Sequence, residues 1–369
     1  MAAGHAAQST PHLFDELKIR DVAFPHRIAV SPMCQYSAVD GHATDWHLVH
    51  LGSRAVGGAA LVFTEATAVT AEGRISPQDL GIWKDDHIDP LSRVARFLHS
   101  YGSVSGIQLA HAGRKAGTAA PWNGGHPLGL SEGGWTPVGP SPLPFTERHQ
   151  TPRELSPEEI CVVGHAFAEA AQRALAAGFQ VVEIHAAHGY LLQEFLSPLS
   201  NRRTDRYGGS FDNRIRILCE VAAEIRKVWP ERLPLFVRIS ATDWDDKGWT
   251  VDESVELARR LSGQGVDLVD CSAGGNIPNP TVPFGSGYQT AMAARIRAES
   301  GMRTAAVGSI TSPAQCEHII NTGQADMVLL AREMLRDPYF ALRAARELGY
   351  PLAWPRQYMR GAPKDSPAR

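Results

Sequence analysis

The sequence predicts a closed (β/α)8 TIM barrel with a long excursion after its third strand, and three observations point there. Short β-branched, apolar runs alternate eight times with longer segments of helical period, the pattern of βα units around a parallel sheet. No break in composition divides that series into two sheets. The Gly-x-Gly-x-x-Gly fingerprint that a dinucleotide-binding sheet carries after its first strand is missing.

Strands are expected at 27–31, 60–66, 105–109, 181–185, 235–239, 268–272, 304–307 and 327–330. Helices follow at 44–56, 86–100, 157–177, 212–228, 252–264, 289–300, 313–322 and 337–348. Ser156 precedes Pro157-Glu158-Glu159, giving an N-cap, a proline at the first helical position and an acidic first turn; Ser312-Pro313 marks a second start. Gly178 and Gly265 each stand between a helix and the next strand, where glycine ends the last turn. The rhythm breaks at 121–157, which is dense in proline and glycine. In a barrel, a loop of that length after strand 3 is expected to be a lid over the C-terminal face, where active sites are built. Residues 1–12 read as a tail, 13–348 as the barrel with its insert at 116–156, and 349–369 as a C-terminal segment.

The 369 residues, 43% hydrophobic and 20% charged, suffice to bury a full core and exclude a mainly disordered protein. With 36 basic and 39 acidic residues and no long run of either sign, there is no footprint for nucleic acid. No apolar stretch approaches the roughly 18 to 20 residues that span a bilayer, and the N-terminus lacks the basic start and apolar run of a signal peptide. The expected location is the cytoplasm, with no membrane partner. Five scattered cysteines, Cys34, Cys161, Cys219, Cys271 and Cys316, fit neither a disulfide framework nor a zinc or iron–sulfur cluster. Four lie in apolar helix or strand patterns, where a small buried hydrophobe is expected; Cys34, just after strand 1, differs.

A barrel carries its chemistry at or just past the C-terminal ends of its strands. Those positions hold Ser31, Pro32, Met33, Cys34 and Tyr36 after strand 1, Ala66 after strand 2, Gln108 and His111 at strand 3, and His185, His188 and Tyr190 at strand 4. Arg238 lies on strand 5, Gly308 and Ser309 follow strand 7, and Ala331 and Arg332 follow strand 8. Two histidines and a tyrosine at one strand mouth are the strongest signal. If the chain turns helical after His185, positions 185 and 188 share a face and aim two N–H donors at one substrate oxygen. The other reading is a metal-dependent barrel hydrolase with His185 and His188 on zinc, but no third ligand stands at a suitable spacing and Tyr190 would be idle. Arg238, charged within an apolar run, needs a partner: a structural ion pair, a bound anion, or a cofactor that gathers negative charge. A reduced flavin gathers it at the N1 and C2 carbonyl pole. Gly308, Ser309 and Arg332 occupy the place between strands 7 and 8 where barrels commonly hold phosphate.

These residues resemble the Old Yellow Enzyme family of FMN-dependent ene-reductases, in particular its thermophilic-like branch of bacterial NADPH dehydrogenases. The similarity runs through Ser31-Pro32-Met33-Cys34-Gln35-Tyr36, Gln108-Leu109-Ala110-His111-Ala112-Gly113-Arg114-Lys115 and His185 through Pro198. It continues in Asn201-Arg202-Arg203-Thr204-Asp205-Arg206-Tyr207-Gly208-Gly209-Ser210 and covers about 13–361. The resemblance implies FMN and NAD(P)H, with NADPH favoured, and a small activated alkene as substrate. It implies that Ser31, Pro32, Met33, Cys34, Ala66, Gln108 and Arg238 line the flavin ring, with Gly308, Ser309, Ala331 and Arg332 at its phosphate. It gives His185 and His188 to the substrate oxygen, the proton to Tyr190, substrate contact to Tyr36 and tuning of the flavin to Cys34. Arg360, within Gln357-Tyr358-Met359-Arg360-Gly361, is implied to enter a neighbouring subunit's site in a homodimer or homotetramer. Two departures stand out: Ala331, where the branch often has glycine, and an insert at 121–150 longer than in compact members.

Overall fold

The computed structural model describes residues 11–367. Eight parallel strands, Ile28–Val30, Leu61–Ala68, Val104–Ala110, Val181–Ala186, Leu235–Ser240, Leu268–Ser272, Arg303–Ala306 and Met327–Leu330, form a closed barrel and are called strands 1 to 8. Each neighbours the next in sequence, and the ring closes where Val328 of strand 8 pairs with Ile28 of strand 1. Helices cover the outer face and side chains fill the centre, so nearly every strand residue is buried, which is why the strands read as continuous apolar runs. The exceptions are informative: Glu65, Glu183, Arg238 and Asp270 are charged and buried on the barrel strands.

The helices fall where the periodicity places them, with three differences. The helix expected at 212–228 is two pieces, Phe211–Arg214 and Arg216–Val228. The last starts at Phe340 rather than 337, and a short helix, Arg332–Arg336, precedes it. A six-residue helix, Leu191–Leu196, follows strand 4 directly. The Ser156 start is as expected: Ser156 Oγ accepts from Glu159 N–H, and Glu159 accepts from Ser156 N–H.

An N-terminal hairpin, Leu17–Ile19 with Val22–Phe24, adds two strands that the sequence reading omits. Phe24 stacks 6.3 Å from Phe236 at the start of strand 5, and Arg20 pairs with Asp267 just before strand 6. The hairpin thus covers the N-terminal end of the barrel and leaves the opposite end for the site. The insert is folded against that opposite end. Trp135 Nε1 donates to Glu72 O at 2.8 Å, and the buried Arg203 donates to the carbonyls of Pro140 and Leu155. Among the described residues no helix is long and apolar enough to cross a membrane. All five cysteines are free; Cys271 and Cys316 are buried as expected, but Cys161 is exposed and Cys219 only half-buried, because each faces outward on its helix.

Candidate active site

Strand 4 ends at Ala186, and the chain does not turn helical there. His188 and Gly189 both take left-handed conformations, φ +61° and +72°, which reverse the backbone before Tyr190 starts the next helix. This corrects the shared-helix-face expectation: His185 and His188 meet through a tight turn. Their rings lie 5.2 Å apart at 88°, and Tyr190 lies edge-on to His185 at 5.0 Å.

Five contacts hold that turn. His188 N–H donates to Ser240 Oγ, which donates onward to Gly274 O. Lys115 Nζ donates to His188 O at 2.8 Å and also to Gly275 O, tying the strand 4 loop to the strand 6 loop. A Cβ on Gly189 would lie 2.3 Å from Gly275 O, so only glycine permits this approach. Burial lowers the Lys115 ammonium to about 7. Phe145, from the insert, covers it with the ring centroid 4.0 Å from Nζ.

The two imidazoles are held differently. Ala187 N–H donates to His185 Nδ1, which leaves the ring proton on Nε2. His188 Nε2 pairs with Ser272 Oγ at 2.7 Å; when that hydroxyl donates, the proton sits on Nδ1. Burial, then the charge of Arg238, keeps both well below the ordinary histidine range, so both are neutral donors at pH 7. Burial, then Cys34, Tyr36 and Asp79, raises the Tyr190 phenol, which therefore keeps its proton.

Inside the ring, Arg238 Nη1 donates to Ser31 Oγ at 2.8 Å, and Nε lies 3.1 Å from Asp270 Oδ2 without an aligned hydrogen bond. Gln108 Nε2 donates to Glu183 Oε1, and burial, then Asp270, pushes Glu183 up to about 8. After strand 1, Gln35 N–H donates to Glu65, whose other oxygen lies 2.8 Å from His47 Nε2, fixing the loop that carries Pro32, Met33 and Cys34. Cys34 is half-buried, and burial, then Asp79 and Glu65, raises its thiol. Tyr36, with φ +49°, meets the edge of Trp122 from the insert at 5.7 Å. Ala66 is buried and pairs in register with Gln108.

A separate cavity of about 240 Å³ lies between strands 7 and 8, lined by Gly308, Ser309, Thr311, Ala331 and Arg332. Gly308 and Ser309 both have positive φ. Ala331 sits at φ −103°, a conformation that does not require glycine, so its departure from the branch pattern is tolerated. Arg332 is exposed and makes no hydrogen bond or ion pair among the described residues. Loop N–H groups plus a free guanidinium are the donor set of a phosphate site, and the buried cation of Arg238, held by Ser31 and Asp270, suits an anionic ring pole; these residues fit FMN. Arg360 is exposed on the C-terminal segment, also without a hydrogen bond or ion pair. Among the described residues no three His, Cys, Asp or Glu side chains form a metal-holding group. Sequence reasoning did not single out Ser240 or Ser272. The two serines end strands 5 and 6, which was a usable signal.

Residues 12–350 match the model of the NADH:flavin oxidoreductase / NADH oxidase family. The chain is 47% identical over 351 residues to an NADPH dehydrogenase of Geobacillus sp. (strain WCH70), covering 95% of this chain and 98% of that one. It is 47% identical over 354 residues to an NADPH dehydrogenase of Bacillus licheniformis, covering 95% and 99%. Among solved structures, morphinone reductase in complex with tetrahydroNAD superposes with a TM-score of 0.75 at 26% identity, covering 94% of this chain and 93% of that one. A 2-naphthoyl-CoA reductase complex reaches 0.83 at 26% identity over 92% of this chain, which spans about half of that protein's length, 52%. With this barrel, this flavin-fitting mouth and these relatives, the chain belongs to the NADH:flavin oxidoreductase / NADH oxidase family, that of the Old Yellow Enzymes, and is an FMN-dependent oxidoreductase.

Proposed function

We propose that the protein is an ene-reductase that uses NADPH to reduce α,β-unsaturated carbonyl compounds or other activated alkenes. The observation that carries this reading is the meeting of two neutral imidazoles and a protonated phenol at one strand mouth beside Arg238. Bound FMN supplies the hydride, taken from the nicotinamide and given to the β-carbon of the alkene. Ser31, Pro32, Met33, Cys34, Ala66, Gln108 and Arg238 would hold its ring, and Gly308, Ser309, Ala331 and Arg332 its phosphate.

His185 Nε2–H and His188 Nδ1–H bind the carbonyl oxygen and stabilise the negative charge that grows there. Because neither ring is charged beforehand, their donors strengthen as the oxygen gains charge. Tyr190 gives its proton to the α-carbon. Tyr36, braced by Trp122, would close the side of the substrate pocket, and Cys34, a protonated thiol, would tune the flavin. Arg360, exposed and unpaired, would reach the substrate pocket of a neighbouring copy in a homodimer or homotetramer.

The test is anaerobic. Purified protein should show a flavin spectrum that NADPH bleaches and 2-cyclohexenone restores, with one alkene reduced per flavin. Bleaching without restoration by any alkene in a panel of enones, maleimides and nitroalkenes would refute the ene-reductase reading while leaving the NADPH oxidoreductase in place.

A further inference from the structure

The insert encloses a cavity that neither the flavin-fitting residues nor the His185, His188 and Tyr190 group accounts for. It holds about 600 Å³ between residues 124–127 and 146–149 of the insert and Pro278 and Asn279 of the strand 6 loop. Small-ligand sites run from about 300 to 1,000 Å³. Its walls are tied to the strand mouth. Arg114 donates from Nη1 to Leu143 O and from Nη2 to Asn276 O, which joins the insert to the strand 6 loop just before each wall begins. The neighbouring Lys115 donates to His188 O at 2.8 Å, and the Phe145 ring lies 4.0 Å from its Nζ. Phe145 in turn meets His149 of the cavity wall edge-on at 5.2 Å. A single side chain, Phe145, thus separates the His188 clamp from the cavity. On the other wall, Trp122, two residues before Gly124, meets Tyr36 at 5.7 Å.

The lining suits one end of a nucleotide. Pro127 and Pro278 offer apolar ring faces, and Gly124 and Gly125, with no side chains, let a flat base approach the backbone. Arg148 stands exposed on the rim, and its guanidinium makes no hydrogen bond or ion pair among the described residues. The strand 6 loop opposite, residues 273–289, carries no charged side chain. Glu147 also lines the cavity, but it is exposed and forms no ion pair with Arg148 among the described residues, so solvent screens it. Burial, then Lys115 and Arg114, lowers the His149 imidazole, so positive charge acts across this wall.

NADPH differs from NADH by one phosphate, on the adenosine ribose, and a site that selects it needs a cation for that phosphate. With the cavity between strands 7 and 8 assigned to the FMN phosphate, the Arg148 rim offers an unpartnered guanidinium one side chain away from the clamp at the strand mouth. We propose that the cavity under the insert receives the adenosine end of NADPH and that Arg148 binds its 2′-phosphate. The proposal rests on NADPH as the reductant and is independent of the alkene. It gives the long insert at 121–150 a role in choosing between the two dinucleotides.

The reductive half-reaction of the FMN-loaded enzyme tests it. Arg148 is exposed, so replacing it removes no buried contact. In stopped-flow bleaching of the flavin, the wild type should show a lower Kd for NADPH than for NADH. Arg148→Ala should reduce that preference about 10- to 100-fold, and Arg148→Lys should restore part of it. Adenosine 2′,5′-bisphosphate gives a readout apart from activity. By calorimetry it should bind the wild type and bind Arg148→Ala more weakly by a similar factor, and in the wild type it should slow hydrogen exchange at 124–126 and 146–149. Equal Kd values for the two dinucleotides in the wild type, an unchanged preference in Arg148→Ala, or exchange protection confined to other segments overturns the proposal. If NADPH does not bleach the wild-type flavin, NADPH as reductant is refuted, and the bisphosphate titration still decides whether the cavity selects a 2′-phosphate.

Discussion

The two sides of the barrel mouth are built on opposite principles. On the strand 4 to strand 6 side, the backbone turn and the imidazoles already have partners within the chain: His188 on Ser240 and Ser272, Lys115 on two loop carbonyls, Gly189 against Gly275. On the strand 7 to strand 8 side there is an open cavity with an unpartnered Arg332 and two positive-φ residues. On the proposed reading the first side aims proton donors at a charge that appears only during reaction, and such aim requires that the geometry be fixed beforehand. The second, on the proposed reading, would hold a permanent dianion, for which donors left unpaired within the chain are suited.

The contrast predicts that damage on the first side costs rate and damage on the second costs cofactor affinity. The largest effect should come from Tyr190→Phe. Alkene reduction should slow by about 10²- to 10⁴-fold for weakly activated substrates, while stopped-flow reduction of the flavin by NADPH holds its rate. Equal loss in both half-reactions would remove Tyr190 from its role. Next is Gly189→Ala, which adds a methyl 2.3 Å from Gly275 O at a left-handed position. Backbone strain of about 1–2 kcal/mol and a displaced His188 should lower kcat about 100-fold. Gly209→Ala is the control: its φ is also positive, but nothing lies within 4 Å of the added Cβ, so it should lower Tm and spare kcat.

On the other side, Arg332→Ala should weaken FMN binding by about 10- to 100-fold, the loss of a charge-assisted contact of about 1.5–3 kcal/mol. With saturating FMN its turnover should match the wild type; a kcat that stays low at saturation would erase the distinction between the two sides. The smallest effect concerns Glu194, which is buried where it accepts from Arg114 N–H, and which burial pushes up to about 8. As pH rises from the ordinary glutamate range toward 8, the unfolded chain releases this proton while the folded chain retains it. That contribution to stability is thus full at acid pH and lost as pH passes through 8. Glu194→Gln has no such proton, so its Tm should decline less than the wild type's between pH 6 and pH 9, by a few degrees in thermal melts.

The framework around these residues explains why the longest shared motif is mostly not chemistry. Asn201, Arg203 and Arg214 are buried and donate to backbone carbonyls of Phe195, Tyr207, Pro140, Leu155 and Leu196. Gln193 and Ser197 both donate to Asp243, and Gln193 also accepts from Gly189 N–H. The segment is demanding because it satisfies buried backbone groups over a stretch with little regular structure. The residues proposed for the chemistry, His185, His188 and Tyr190, stand within its first six.

All eight barrel strands were legible in the chain, each within two residues, because a strand buried on both faces must be apolar throughout and its helix must show a 3.6-residue period. The hairpin at 17–24 was not, since three-residue strands are too short to display a period. Which residues gather at the strand mouths was likewise legible, because parallel strands of a barrel all end on one face. The sequence alone could not decide that His185 and His188 meet through a left-handed turn, or that this turn is held by Ser240, Ser272 and Gly275. Those facts depend on contacts between segments tens of residues apart, and pairings at that distance are decided only when the ring closes and the packing of one loop leaves room for the other.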